Sequence, residues 1–256
     1  MHIDRREFLL FAAASAAPYG SAVASHAASS WRPKAIAFDA FPIFDPRPIA
    51  ALTESLFPGK GSAIMNVWRA RQFEYQWIRA LSGRYADFLQ TTEESLLFAS
   101  KQLELELTAQ QRERLMSEWS HLRVWPDVPE TVKTLRKSGF RLAVLSNMTR
   151  AVLAEGLKRA QLESMFEAIL STDQIHSYKP DPRSYQLAAD HFHLRREEIL
   201  FVAFAGWDVA GAKWFGYPTF WVNRLDAAPE ELGVEAHASG PDLTSLTRFT
   251  LSGGGS

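Results

Sequence analysis

Asp39 follows the apolar run Ala35-Ile36-Ala37-Phe38, and two residues further on stands Phe41 rather than a second acid. A lone carboxylate at the end of a strand can act as a nucleophile. Without an acidic neighbour it is poorly built to hold magnesium, which asks for several oxygen ligands, or to protonate a leaving group. Three further elements occupy matching settings: Ser146-Asn147 after Leu142-Ala143-Val144-Leu145, Lys179 within Tyr178-Lys179-Pro180-Asp181, and Asp208 after Ile199-Leu200-Phe201-Val202. Together the four point to one site more firmly than any of them does alone.

Placing such residues together requires a particular framework. Strand-like apolar runs at 34–38, 141–145, 199–203 and 218–222, with a weaker one at 166–170, alternate with helical patterns in the second half of the chain. That alternation predicts an α/β fold, a Rossmann-like parallel sheet covered by helices. From about Arg47 to Trp125 there is no good strand candidate. Trp77, Leu81, Tyr85 and Phe88 recur there at helical spacing, and Leu96, Leu103, Leu107, Leu115 and Trp119 extend the pattern. Residues 47–126 are therefore expected to form a helical cap inserted into a core made of 33–46 and 127–250. Pro126 and Pro129 mark the return to the core, and Thr131 to Lys137 reads as a helix ending at Gly139. Ligands of open parallel sheets bind beyond the carboxyl ends of the strands, where Asp39, Ser146 and Asp208 all fall. A cap over that edge would exclude water and add substrate-specific side chains.

The chain of 256 residues can bury a sizeable core, and its formal charge of −1 lacks the clustered basic surface that nucleic acid demands. A small-molecule ligand is expected instead. Cysteine is absent, which removes disulfides, thiolate metal sites and cysteine nucleophiles. Covalent chemistry must come from oxygen or nitrogen. His191 and His193 are two apart on an expected helix and do not share a face, so they make no metal pair. At the N-terminus, Asp4-Arg5-Arg6-Glu7-Phe8-Leu9-Leu10, an Ala-rich apolar stretch and Ala22-Val23-Ala24 resemble a twin-arginine export signal over residues 1–24. The stretch is short for a membrane span, so the expectation is a soluble periplasmic protein beginning near Ser25. Residues 251–256, ending in Ser252-Gly253-Gly254-Gly255-Ser256, read as a flexible tail.

From Lys34 to Asn223 the chain resembles the haloacid dehalogenase superfamily, and within it the L-2-haloacid dehalogenase (type II) branch. The resemblance rests on Trp68-Arg69-Ala70-Arg71-Gln72-Phe73-Glu74-Tyr75-Gln76-Trp77, Gly83-Arg84-Tyr85-Ala86-Asp87-Phe88, Tyr178-Lys179-Pro180-Asp181 and Trp207-Asp208. It implies that Asp39 attacks the α-carbon of a short (S)-2-haloalkanoic acid and expels halide. The resulting ester is hydrolysed to the (R)-2-hydroxy acid, with no metal or other cofactor. It further implies that Lys179 supplies the countercharge, Ser146 hydrogen-bonds the substrate carboxylate, and Arg69, Asn147 and Trp207 cradle the halide. Phe41, Phe73 and Phe88 would line the pocket, and Tyr185 would hydrogen-bond near the site. On residue type alone, aromatics at helical spacing are more often core, and Arg69 reads as a surface cation. Asp208 suits both a cap on a helix dipole and a partner of Lys179 that activates water. Relatives of this kind are commonly homodimers.

Two departures from the family pattern stand out. Pro42-Ile43 replaces a Gly-Thr pair whose hydroxyl steadies the nucleophile, and Ala203 and Ala205 replace a serine and an asparagine that orient Asp208 and the attacking water. Alkylation is thus better supported than hydrolysis. The rival readings are a magnesium-dependent phosphatase of the same superfamily, for which Phe41 and the residues around Asp208 offer too few acids, and an exported relative that only binds a carboxylate or a partner.

Overall fold

The computed structural model describes residues 32–252. The export signal expected at 1–24 lies outside them, as do residues 253–256 of the tail. In chain order the strands are β1 (Ala35–Phe38), β2 (Phe44–Asp45), β3 (Arg123–Val124), β4 (Arg141–Ser146), β5 (Ala168–Ser171), β6 (Ile199–Ala203), β7 (Thr219–Val222) and β8 (Ala238–Gly240). The α-helices are α1 (Arg47–Leu56), α2 (Gly61–Leu81), α3 (Phe88–Gln102), α4 (Ala109–Ser120), α5 (Val128–Lys137), α6 (Arg150–Arg159), α7 (Pro182–Phe192), α8 (Gly206–Phe215) and α9 (Leu243–Leu251).

Among the described residues six strands form one sheet in the order β5-β4-β1-β6-β7-β8, with every neighbouring pair parallel. Each residue of β1 is buried, because helices cover both faces of the sheet. Ile36 and Phe38 pack in a layer with Val132 of α5, Leu153 of α6 and Leu246 of α9. Ala35 and Ala37 face the opposite layer, with Ala188 of α7 and Ala212 of α8. Small residues on that side let α7 and α8 approach the sheet closely. Phe38 lies level with Val144 of β4 and Val202 of β6, so the three strands end side by side and bring Asp39, Ser146 and the start of α8 to one edge.

Helices α1 to α4 stand over that edge, with α2 packed chiefly along α3. The chain enters and leaves them through a neck, the antiparallel pair β2 and β3. Trp125 locks the neck: its backbone N–H donates to Ile43 O at 2.9 Å, and its indole donates to Phe41 O at 2.9 Å.

Three expectations need correction. Trp77, Leu81, Tyr85 and Phe88 do not share a helix, because α2 stops at Leu81, Gly83 turns at a φ of +67° and Asp87 caps α3 by accepting from Gln90 N–H at 2.8 Å. Glycine allows that turn at no steric cost. Asp208 is not the N-cap of α8; that position is Ala205, while Asp208 stands in the first turn, where a carboxylate suits the helix dipole, with its side chain buried. Leu251, assigned to the tail, is the last residue of α9, which buries Leu243, Leu246 and Thr250.

Candidate active site

The centre of the site is a buried ion triad. Nζ of Lys179 lies 2.7 Å from Oδ1 of Asp39 and 2.6 Å from Oδ2 of Asp208. Lys179 reaches this point from the loop before α7, whose backbone is held at both sides of the residue. Its N–H donates to Oδ1 of Asn147 at 2.8 Å, and its carbonyl accepts from the Trp77 indole at 3.1 Å. Burial alone would drive the ammonium down, but Asp208 and Asp39 together outweigh that and hold it above its ordinary value.

The second oxygen of Asp39 accepts from the backbone N–H of Phe41 at 3.1 Å. That main-chain donor takes up part of the support lost with the Gly-Thr pair. Asp208 is held on both sides as well: Tyr185 donates its hydroxyl to Oδ1 at 2.7 Å while Lys179 holds Oδ2. These contacts orient Asp208 where Ala203 and Ala205 cannot. Burial pushes the Asp208 carboxyl up, against the pull of Lys179 and with a further push from Asp39, to about 6. The Tyr185 phenol stands well above its ordinary value, through burial and then the Asp208 charge, so it remains a donor.

A cavity of about 30 Å³ lies beside Asp39. Ten of the eleven candidate residues line it: Asp39, Phe41, Arg69, Phe73, Phe88, Ser146, Asn147, Lys179, Trp207 and Asp208. Tyr185 stands behind the wall, in contact with Asp208 rather than with the cavity. Arg69 comes from α2 and is not a free surface cation: burial lowers its guanidinium from the ordinary value, and the Asp39 charge offsets part of this. Lys179 and Arg69 therefore balance Asp39 and Asp208, and an anionic ligand can enter without net repulsion from these four groups. Ser146 Oγ accepts from Met148 N–H at 3.1 Å, which leaves its hydroxyl hydrogen for an incoming carboxylate. The Asn147 carbonyl is engaged by Lys179 N–H and, at 3.3 Å, by the Thr172 hydroxyl, so its NH₂ is the end that can donate to an anion.

The aromatic wall combines packing with enclosure. Phe73 stacks on Trp77 at 5.7 Å and meets Trp207 edge-on at 5.3 Å. Phe88 packs against Trp119, and Phe41 against Phe204, so the core and lining roles of these rings coincide. Sequence reasoning missed Gln72, Gln76, Trp119, Met148 and Phe204 as lining residues, and Trp77 as a partner of the lysine loop. Gln72, Gln76 and Trp77 belong to the cap stretch that carried the resemblance, which was the available signal. Among the described residues no three His, Asp or Glu side chains gather as a metal site.

A parallel-sheet hydrolase with a helical cap over a buried Asp–Lys–Asp triad is the class that this fold and geometry describe. The sequence matches the model of the haloacid dehalogenase-like hydrolase family over residues 76–222, and the chain belongs to that family. It is 39% identical to the (S)-2-haloacid dehalogenase of Pseudomonas sp. (strain YL) over 201 residues, 78% of this chain and 87% of that one. It is 38% identical to haloacetate dehalogenase H-2 of Moraxella sp. (strain B) over 217 residues, 84% of this chain and 97% of that one. The structure of the L-2-haloacid dehalogenase of Xanthobacter autotrophicus with chloropropionic acid covalently bound superposes with a TM-score of 0.78 at 31% identity, over 86% of this chain and 98% of that one.

Proposed function

We propose that this protein hydrolyses short (S)-2-haloalkanoic acids to (R)-2-hydroxy acids through an ester on Asp39. The observation that carries the reading is the Asp39 carboxylate, fixed by Lys179 on one oxygen and by a backbone N–H on the other, at the wall of a small aromatic-lined cavity. The 2-haloacid dehalogenases among its relatives, one of them with chloropropionic acid covalently bound, support it.

In the first step an oxygen of Asp39 forms a bond to C2 from the side opposite the halogen, and the carbon–halogen bond breaks with its electron pair on the halide. Configuration inverts. Ser146 and its neighbouring amides hold the substrate carboxylate, while Arg69, the Asn147 NH₂ and Trp207 receive the halide. Holding nucleophile and carbon in line contributes about 7–11 kcal/mol to such a reaction. In the second step water adds to the ester carbonyl of Asp39. One of its protons passes to Asp208 and the other ends on the departing 2-hydroxy acid, while the oxygen of water stays on Asp39. Positive charge is supplied by Lys179 and Arg69, so the reaction needs no metal.

One turnover in ¹⁸O-water tests this directly, with enzyme in excess over (S)-2-chloropropionate. The hydroxyl oxygen of the first product comes from Asp39 and carries no label, and chelation leaves the rate unchanged. Full labelling of that first product would remove the ester mechanism.

The reading extends to location and assembly. Export to the periplasm rests on Arg5-Arg6 and the apolar stretch that follows, and cell fractionation checks it. A homodimer is supported by the cap helix α2, which leaves Ile78 59% and Leu81 90% exposed, and sedimentation of the purified protein checks that.

A further inference from the structure

Among the described residues, hydrogen bonds away from the substrate cavity join the cap to the segment from Asp173 to Lys179. The Trp77 indole N–H, on α2, donates to the carbonyl of Lys179 itself at 3.1 Å. The hydroxyl of Tyr178, the residue before Lys179, donates to Ala86 O in the link between α2 and α3 at 2.6 Å. In the same link Tyr85 donates to Oδ1 of Asp173 at 2.8 Å, and its ring stacks on His176 at 5.1 Å. The core contributes one matching tie, from Lys179 N–H to Asn147. Lys179 is thus suspended between a core amide on its N–H and a cap indole on its carbonyl.

We propose that Trp77 is a positioning residue for the catalytic lysine: by holding the Lys179 carbonyl it fixes where Nζ stands between Asp39 and Asp208, so that a docked cap completes the ion triad. The inference rests on the dehalogenase reading of the same site.

The chemistry requires such a device. The ammonium must stay within hydrogen-bonding reach of both carboxylates through alkylation, which removes the charge of Asp39, and through ester hydrolysis, which restores it. A long flexible side chain does this only if its own backbone cannot shift. Displacing a charged group by about 1 Å is enough to cost on the order of 10²-fold in rate. Trp77 is well placed to resist displacement, because its ring is wedged between Phe73 and, at 6.0 Å, Trp207, the neighbour of Asp208. One cap side chain thereby touches both the backbone of Lys179 and the ring that precedes Asp208.

The test removes the N–H and keeps an aromatic ring. Trp77→Phe is one variant; replacement of Trp77 by 3-benzothienylalanine, in which sulfur takes the place of the indole N–H, is a second that preserves the packing if the phenyl variant folds poorly. Halide release from (S)-2-chloropropionate is expected to lose roughly tenfold to a hundredfold in kcat with KM within about twofold. In the unliganded protein the Asp208 carboxyl, followed by NMR on ¹³C-labelled aspartate, is expected to titrate at higher pH, because a less constrained ammonium stabilises its anion less. Tyr178→Phe, which cuts a neighbouring tie, is expected to combine non-additively with Trp77→Phe. An unchanged Asp208 titration with unchanged kcat would overturn the proposal, as would a loss confined to KM. The titration needs no substrate: if the unaltered protein releases no halide the functional reading fails, while the Asp208 shift still decides the role of Trp77.

Discussion

The backbone N–H of Phe41 lies 3.1 Å from Oδ2 of Asp39, so the side of the carboxylate that Lys179 does not hold is held by the main chain. Both oxygens therefore face donors. Asp39→Asn turns an NH₂ toward one of those donors, with no negative charge to attack carbon. Halide release is expected to fall by at least roughly 10³-fold, and the intact-protein mass is expected to stay at that of the free enzyme during incubation with substrate. Retained turnover in this variant would exclude Asp39 as nucleophile.

Lys179→Met leaves Asp39 and Asp208 buried together without their shared cation. Breaking a buried ion pair from one side costs about 3–5 kcal/mol, so the variant is expected to unfold at clearly lower denaturant concentration. The penalty is largest where Asp208 is ionised and shrinks in acid as it takes up its proton. Urea titrations at neutral pH and at low pH read that difference.

Asp208 gives the reaction an acid limb. Its carboxyl is raised to about 6, and below that pH it holds a proton and cannot accept one from the hydrolytic water. Alkylation draws on Asp39 and continues, so the ester is expected to accumulate as pH falls through that range. Quenched-flow mass spectrometry of the Asp39 peptide in acid and at neutral pH measures the build-up. The stability effect has the matching sign. A carboxyl whose folded value lies above its unfolded one binds its proton more tightly when folded. Its favourable contribution is therefore present in acid, below the ordinary carboxylate range, and is lost as pH rises through about 6.

Gly211 lies under the hydroxyl of Tyr185. A methyl group placed there meets that hydroxyl and, at 2.8 Å, Cβ of Pro180, next to Lys179. Gly211→Ala is expected to cost about 1–3 kcal/mol of stability and to loosen the Tyr185 bond to Asp208. Hydrolysis of the ester should slow more than its formation, and single-turnover kinetics separate the two steps.

Much of this could be read from residue types, because the informative elements are of the kinds that composition marks. β1, β4 and β6 are continuous apolar runs since both faces of the sheet are covered, and Asp39 and Ser146 stand out as polar residues at the ends of β1 and β4, as Asp208 does in the first turn of the helix that follows β6. β8, made of Ala238-Ser239-Gly240, carries no apolar signal, and the neck strands are two residues each. The donor from Phe41 is a main-chain group, which no side chain advertises. Trp77 and Lys179 meet across 102 residues of chain, and only folding brings them together. The Asp208 carboxylate turns inward instead of capping α8 because a buried ammonium and a phenol outbid a helix end that Ala205 already opens.

β1 occupies the middle of the sheet although it is the first strand among the described residues, and the strands on either side, β4 and β6, come only after all four helices of the cap. During synthesis the segment ending in Asp39 emerges before either of its partners, greasy and unpaired, and must wait for the whole cap and more before it has neighbours. Such distant pairing slows assembly and exposes a sticky segment in the meantime. An interrupted translation product stopping short of β6 would still carry Asp39 and Lys179, but would lack the Asp208 that completes the triad.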